Sequence, residues 1–220
     1  MNTGDITQLQ QALKLPGASL QKQFLPESGL SLQLLQLQDT GLKLHAGQIA
    51  DFWQQLPYWA FAWAGGRALA QWIHQHPQSV RGKRVLDFGC GSALVGIAAA
   101  QAGAREVWVA DLDPNALLAA QHNAGLNNVT LHPVTAGQWP EVDMLLASDV
   151  LYDISSSADL RALMLGIPHW LLAESRYKKP DFVALQCLAA NTMSTLPAIG
   201  DFDEAVPVEI YCRSGDSPLL

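Results

Sequence analysis

Arg84 to Gly103 reads RVLDFGCGSALVGIAAAQAG. Arg84 to Phe88 is a short buried strand by pattern. Gly89, Cys90, Gly91 and Ser92 make a tight turn. Ala93 to Ala102 is a run of strong helix formers, and Gly103 stands at the position after the helix where a left-handed residue is favoured. Strand, glycine turn and helix in this order form the first half of a βα unit built to receive a nucleotide. The glycines let a ligand approach the backbone, and the helix start presents free N–H groups and the positive end of its dipole.

Two positions narrow the ligand. A dinucleotide fingerprint carries a third glycine three residues after the second, and Leu94 stands there. Asp87 lies in the strand, two residues before Gly89. An acid at that place repels a pyrophosphate and suits an ammonium group. The pattern strand-Asp-x-Gly-x-Gly is similar to the first motif of the S-adenosylmethionine-dependent methyltransferases, whose cofactor ends in an ammonium and a carboxylate. Glu106 to Ala110 is the next strand, followed by Asp111, 20 residues beyond Gly91. That spacing suits an acid accepting both ribose hydroxyls. Asp113 and Pro114 then read as N-cap and first residue of a helix reaching about Asn123.

Working outward, Val129 to Pro133 reads as a third strand and Val142 to Ala147 as a fourth, running into Ser148, Asp149 and Tyr152. Ligands of open α/β sheets bind beyond the carboxyl ends of the strands, at the switch point beside the first strand, so Asp149 and Tyr152 are expected to overlook the reacting group. Trp139, in the loop before the fourth strand, either faces the adenine or caps the surface. Trp170 to Glu174 is the fifth strand, followed by the basic loop Arg176 to Pro180. The pattern then predicts a helix over Phe182 to Asn191 and an antiparallel pair, Thr195 to Ile199 with Val206 to Cys212. Toward the N-terminus, Pro57 to His76 is helical in its second half. Gly65 and Gly66 inside it cost about 1 kcal/mol each against Ala, so a ligand's approach or a helix start is needed to explain them. Trp59, Phe61 and Trp63 either wall a cofactor cleft or belong to the core. Residues 1–56 form an extension with a possible short helix at Ile6 to Leu15 and a strand at Leu30 to Leu37, whose hairpin partner is expected at Leu42 to Leu44. Residues 57–220 are the main domain.

The bulk properties are compatible with this arrangement. The 220 residues are 49% hydrophobic, enough for one α/β domain with an extension. A net charge of −7 argues against a general nucleic-acid binder. The start lacks the basic and apolar regions of a signal peptide, and no apolar run reaches membrane-spanning length. Cys90, Cys187 and Cys212 have no metal-site or disulfide spacing and suit a reducing compartment. His74 and His76 point to different faces of their helix, so no metal is expected. A cytoplasmic monomer is the expectation, with neither a membrane nor a nucleic acid as partner.

With these residues placed, the chain resembles the seven-stranded class I methyltransferases. More closely, it resembles the group containing the electron transfer flavoprotein β-subunit lysine methyltransferase and its bacterial relatives. The resemblance spans about Gln23 to Cys212 and rests on four stretches: PYWAFAWAGGRALAQWI (Pro57 to Ile73), GKRVLDFGCGSALVGIAAAQAGA (Gly82 to Ala104), ADLDPNAL (Ala110 to Leu117) and SDVLYD (Ser148 to Asp153). It implies a Rossmann-like, doubly wound, seven-stranded α/β sheet, mostly parallel, with one antiparallel strand near the C-terminus. It also implies S-adenosylmethionine bound by Trp63, Asp87, Gly89, Gly91, Asp111 and Trp139, with Asp149 and Tyr152 placing the acceptor or catalysing. The implied partner is a protein lysine or a small-molecule amine; a non-catalytic binding module is the remaining alternative. Three positions depart from the group. Ala93 replaces a common third glycine, Ser148 replaces a glycine, and AESR (Ala173 to Arg176) replaces a DPGR-like stretch. The last of these, after the fifth strand, borders the acceptor.

Overall fold

The computed structural model describes residues 3–14, 17–37, 56–135, 138–151, 154–175 and 184–215. In chain order these form α1 (Thr3–Ala12), β1 (Ala18–Leu25), β2 (Leu30–Leu37), α2 (Ala64–Gln75), β3 (Arg84–Phe88), α3 (Leu94–Gln101), β4 (Glu106–Ala110), α4 (Pro114–Leu126), β5 (His132–Pro133), β6 (Met144–Ser148), α5 (Ile154–Gly166), β7 (His169–Ser175), β8 (Leu185–Met193) and β9 (Val206–Arg213). The strands from β3 onward build one seven-stranded sheet in the order β5-β4-β3-β6-β7-β9-β8. Neighbours are parallel except β9, which runs against both β7 and β8. The chain winds outward from β3 through β4 to β5, then returns to the other side of β3 as β6. The switch point therefore lies between the carboxyl ends of β3 and β6, where such sheets bind ligands.

Alternation along the strands divides the core between the two faces. Val85, Val107, Leu146, Leu171 and Ile210 pack on one face with α2 and α3. Leu86, Phe88, Leu145, Trp170 and Leu172 pack on the other, with Leu160 and Met164 of α5. A third cluster joins Leu9, Leu20 and Leu35 to Trp59, Phe61 and two alanines of α4. Trp59 and Phe61 are therefore core residues.

The N-terminal hairpin is docked by hydrophobic and polar contacts together. Leu25, Leu30, Leu32 and Leu34 are fully buried in the cluster around α2 and α3. The free edge of β2 is met by Asn123 of α4 and by Asn127, the C-cap of α4, four residues on. Asn127 Oδ1 accepts from Ser31 N at 2.9 Å, and Asn127 Nδ2 donates to Ser31 O at 2.7 Å. Asn123 Oδ1 accepts from Gln33 N at 2.8 Å. Four residues of helix advance about 6 Å, close to the advance of two strand residues, so the two amides stand in for a neighbouring strand. Arg67 adds a buried ion pair to Glu27 (Nε–Oε1 2.7 Å) in the hairpin turn.

Several sequence readings change. β2 does form a hairpin, but its partner is upstream, Ala18–Leu25; Asp39 to Leu44 lie outside the described residues. The third strand shrinks to two residues. Residues 185–193 form strand β8 where the composition predicted a helix. Leu, Gln and Ala are good helix formers, but intrinsic propensity is small per residue, and the open edge of β9 supplies a full ladder that outweighs it. Thr195 to Ile199 makes no strand, only an isolated bridge between Leu196 and Ala62. The antiparallel pair is thus β8 with β9.

Because its leucines share the core of the sheet, the hairpin is expected to unfold with it. Leu32→Ala should lower stability by about 2–5 kcal/mol in chemical denaturation while keeping a single transition. A separate early transition would show that the hairpin folds apart.

Candidate functional site

The turn after β3 is shaped by residues with positive φ. Gly89 has φ +67° and Gly91 +51°, and Ala93, the N-cap of α3, has φ 60°. The left-handed conformation costs a non-glycine residue about 1–2 kcal/mol, and the fully buried Ala93 methyl offsets part of it. A glycine is common there for this reason. Gly89 N and Cys90 N both donate to Ala110 O, at 2.8 and 3.1 Å, which fastens the turn to the end of β4. A Cβ at Gly89 would lie 2.6 Å from Cγ1 of Val150, so the turn is pressed against the segment after β6. At Gly91 a Cβ would point toward Tyr58 O (3.9 Å) and the Trp59 Cα (4.0 Å), filling the space between the turn and the aromatic stretch before α2.

The acids at the strand ends bind backbone. Asp87 is buried, and its Oδ2 accepts from Gly96 N at 2.8 Å. It caps the first turn of α3 from beneath, a duty its own N-cap, Ala93, cannot perform. Burial pushes the Asp87 carboxyl up to about 7; the Gly96 N–H opposes this and the nearby Asp111 charge adds to it. Asp111 accepts from Gly91 N (Oδ2, 2.8 Å) and from Asp113 N (Oδ1, 2.9 Å), and burial raises its pKa also. Leu112, beside it, is 72% exposed.

Asp149 is the most heavily engaged of these acids. Its backbone has φ 51°. Its Oδ2 accepts from Gly65 N at 2.7 Å, capping α2, while its Oδ1 accepts from Ser175 N (2.9 Å) and Ser175 Oγ (2.7 Å) at the end of β7. A Cβ on Gly65 would sit 2.6 Å from Asp149 Oδ2, and one on Gly66 would sit 3.3 Å from Ser148 Oγ. The two glycines thus make room for Ser148 and Asp149. Trp63 is the N-cap of α2; its Nε1 donates to Tyr58 O at 3.0 Å, and its ring lies against Tyr58 and Phe61. Trp139 is 42% exposed and tilts over Phe88, with ring centroids 5.9 Å apart. Tyr152 and Arg176 to Pro180 lie outside the described residues.

The fold therefore joins Gly91 to Asp111, Gly89 to the Asp149 segment through Val150, and Asp149 to Gly65 and Ser175. Sequence reasoning marked Gly65 as a place of ligand approach or a helix start and Glu174 and Ser175 as part of a stretch bordering the acceptor, but it named no partner for any of them and did not single out Leu112. A faint signal existed for two of them: a Gly-Gly pair that propensity disfavours, and an acid closing a buried strand. An open groove of about 420 Å³ lies elsewhere, near Arg84 and Glu106 at the amino ends of β3 and β4.

Comparison with known proteins gives a consistent picture. Residues 69–154 match the family model described as ribosomal protein L11 methyltransferase (PrmA). Over 120 residues the chain is 37% identical to the electron transfer flavoprotein beta subunit lysine methyltransferase of Danio rerio, covering 52% of this chain and 44% of that protein. Over 76 residues it is 43% identical to the ribosomal protein L11 methyltransferase of Dichelobacter nodosus, covering 33% and 26%. The matches thus cover less than half of these relatives' length. The structure of magnesium protoporphyrin IX methyltransferase from Synechocystis, with bound SAH, aligns with a TM-score of 0.51 at 16% identity, covering 78% of this chain and 89% of that one. That likeness concerns the fold alone.

The raised Asp87 pKa has a testable sign. A carboxyl near 7 in the folded state and near 4 unfolded contributes stability in full below about pH 4, and loses it as pH rises through about 7. The stability of Asp87→Asn relative to the original chain should therefore rise between pH 5 and 8, measured by urea unfolding. A constant difference across that range would contradict it.

Proposed function

We propose that this chain, which carries a PrmA-like methyltransferase domain on a class I fold, transfers a methyl group from S-adenosylmethionine to the side-chain nitrogen of a protein lysine. One observation carries the reading. The glycine turn, closed by Asp111 on the Gly91 N–H, is pressed through Gly89 and Val150 against the segment that presents Asp149. A cofactor seat and an acceptor seat thus share a wall. The relatives named for lysine methylation support a protein acceptor.

The residues fit the cofactor. Space remains over Gly91 between the turn and the Tyr58–Trp59 backbone, and the acids beside it are acceptors suited to hydroxyl and ammonium donors. On this reading Gly89 and Gly91 receive the amino-acid end, and Asp87 beneath them supplies negative potential for its ammonium. Asp111 accepts the ribose hydroxyls. Leu112 and Trp139 offer apolar surface to the adenine, and Trp63 walls the cleft. When bound, the cofactor supplies a methyl group on a sulfonium, and its departure needs no acid.

The chain's own task is alignment and exclusion of water. A lysine with the usual pKa of about 10.4 needs roughly 4–5 kcal/mol to be neutral at pH 7. A carboxylate offers about four lone-pair sites, and three on Asp149 already take protein donors. One remains to accept an N–H from the incoming amine. With that site accepting the amine N–H, Asp149 orients the amine and the proton leaves through water. Through the motif Asp149-x-x-Tyr152, the proposal also assigns Tyr152 to placing the amine.

Asp111→Ala should weaken cofactor binding by about 1–3 kcal/mol in calorimetry, because the ribose loses charge-assisted acceptors. Asp149→Ala should lower single-turnover transfer on the order of 10²–10⁴-fold while changing cofactor affinity far less. Tyr152→Phe should cost less than either, since the ring remains. The acceptor is found by incubating the protein with labelled S-adenosylmethionine and cell lysate. Label in a protein band supports the lysine reading. Label only in the small-molecule fraction transfers the proposal to a small amine, and no cofactor binding at all would end it.

A further inference from the structure

The adjacent ends of β6 and β7 exchange side chains for backbone in both directions. Asp149, after β6, accepts from Ser175 N and Oγ at the end of β7. Glu174, in β7, returns the contact: its Oε1 accepts from Val150 N at 3.1 Å and Leu151 N at 3.3 Å, just past Asp149. The backbone adds Asp149 N to Ala173 O at 3.0 Å. Glu174 is 5% exposed. A carboxylate this deep costs several kcal/mol to desolvate unless its charge is met by donors, and two successive N–H groups aimed at one oxygen form an anion-holding nest.

We infer that Glu174 is a positioning residue, which with Asp149 forms a reciprocal brace that fixes the acceptor-facing segment 149–151. The inference rests on the reading of this face as the acceptor seat. Its reach is longer than its own contacts. The Val150 N–H is held by Glu174, and the Val150 side chain presses on Gly89 in the glycine turn. Asp149 in the same segment caps α2 through Gly65. One buried acid thus sets the distance between the turn that would hold the cofactor and the group that would orient the amine. Its place in the chain also accounts for the departure at AESR. A proline at position 174 would leave Val150 N and Leu151 N without this acceptor, and a glycine at 175 would remove the hydroxyl that Asp149 accepts.

The test has two readouts. In Glu174→Ala, hydrogen exchange at the Val150 and Leu151 amides should accelerate by about tenfold or more, whereas Glu174→Gln, which keeps an oxygen acceptor, should retain most of the protection. Single-turnover transfer should fall about 10–100-fold in Glu174→Ala and recover to within about fivefold in Glu174→Gln, with cofactor Kd changed less than about threefold in both. Unchanged exchange at the two amides overturns the brace. Unchanged transfer, or a Kd that rises in step with the loss of transfer, overturns the positioning role. If Glu174→Ala does not fold, Glu174→Gln and Ser175→Ala carry the same measurements, with partial losses expected. If the unaltered protein methylates nothing, the functional proposal fails, yet the exchange result still decides the brace.

Discussion

Carboxylates at the carboxyl ends of the strands, bonded to backbone amides, are the constraint on which this structure turns. Four strands adjacent in the sheet end in one: Asp111 at β4, Asp87 in β3, Asp149 at β6 and Glu174 in β7. The donors shown on them are uncharged: Gly91 and Asp113 N on Asp111, Gly96 N on Asp87, Gly65 and Ser175 on Asp149, Val150 and Leu151 N on Glu174. Backbone dipoles orient these acids. The chemistry proposed for this edge brings a cationic cofactor, whose sulfonium and ammonium a negative potential would favour.

The same arrangement explains most of the glycines near the site. Ser148, Asp149 and Val150 occupy the places where side chains at Gly66, Gly65 and Gly89 would begin. One three-residue segment thus leaves no room for a side chain at Gly65 and Gly89 and little at Gly66, positions distant in sequence. The helices that flank the site follow suit: neither α2 nor α3 is capped by its own N-cap side chain, and each takes its acceptor from a strand-end acid. Helix placement and site geometry are therefore one problem with one solution.

Asn123 ties the hairpin to the site. It is fully buried, accepting from Gln33 N in β2 and donating to Ser92 O after the glycine turn at 3.0 Å. The N-terminal extension is thus hydrogen-bonded, through one amide, to the residue that follows Gly91. With the leucines of β1 and β2 in the shared core, the hairpin supports the turn from behind.

By itself, the sequence determined what depends on local pattern. The strand, turn and helix from Arg84 to Gly103, the acid 20 residues after Gly91, and the parallel strands that follow β3 reflect short-range periodicity, turn chemistry and spacing. Tertiary structure decided what depends on partners far along the chain. Residues 185–193 became a strand because β9 offered an edge, and β2 paired upstream because its leucines match those buried with α2 and α3. The roles of Gly65, Ser175 and Glu174 were illegible for the same reason. Their partners lie 84, 26 and 24 residues away, and no local preference records a contact that exists only after the strands have been laid side by side.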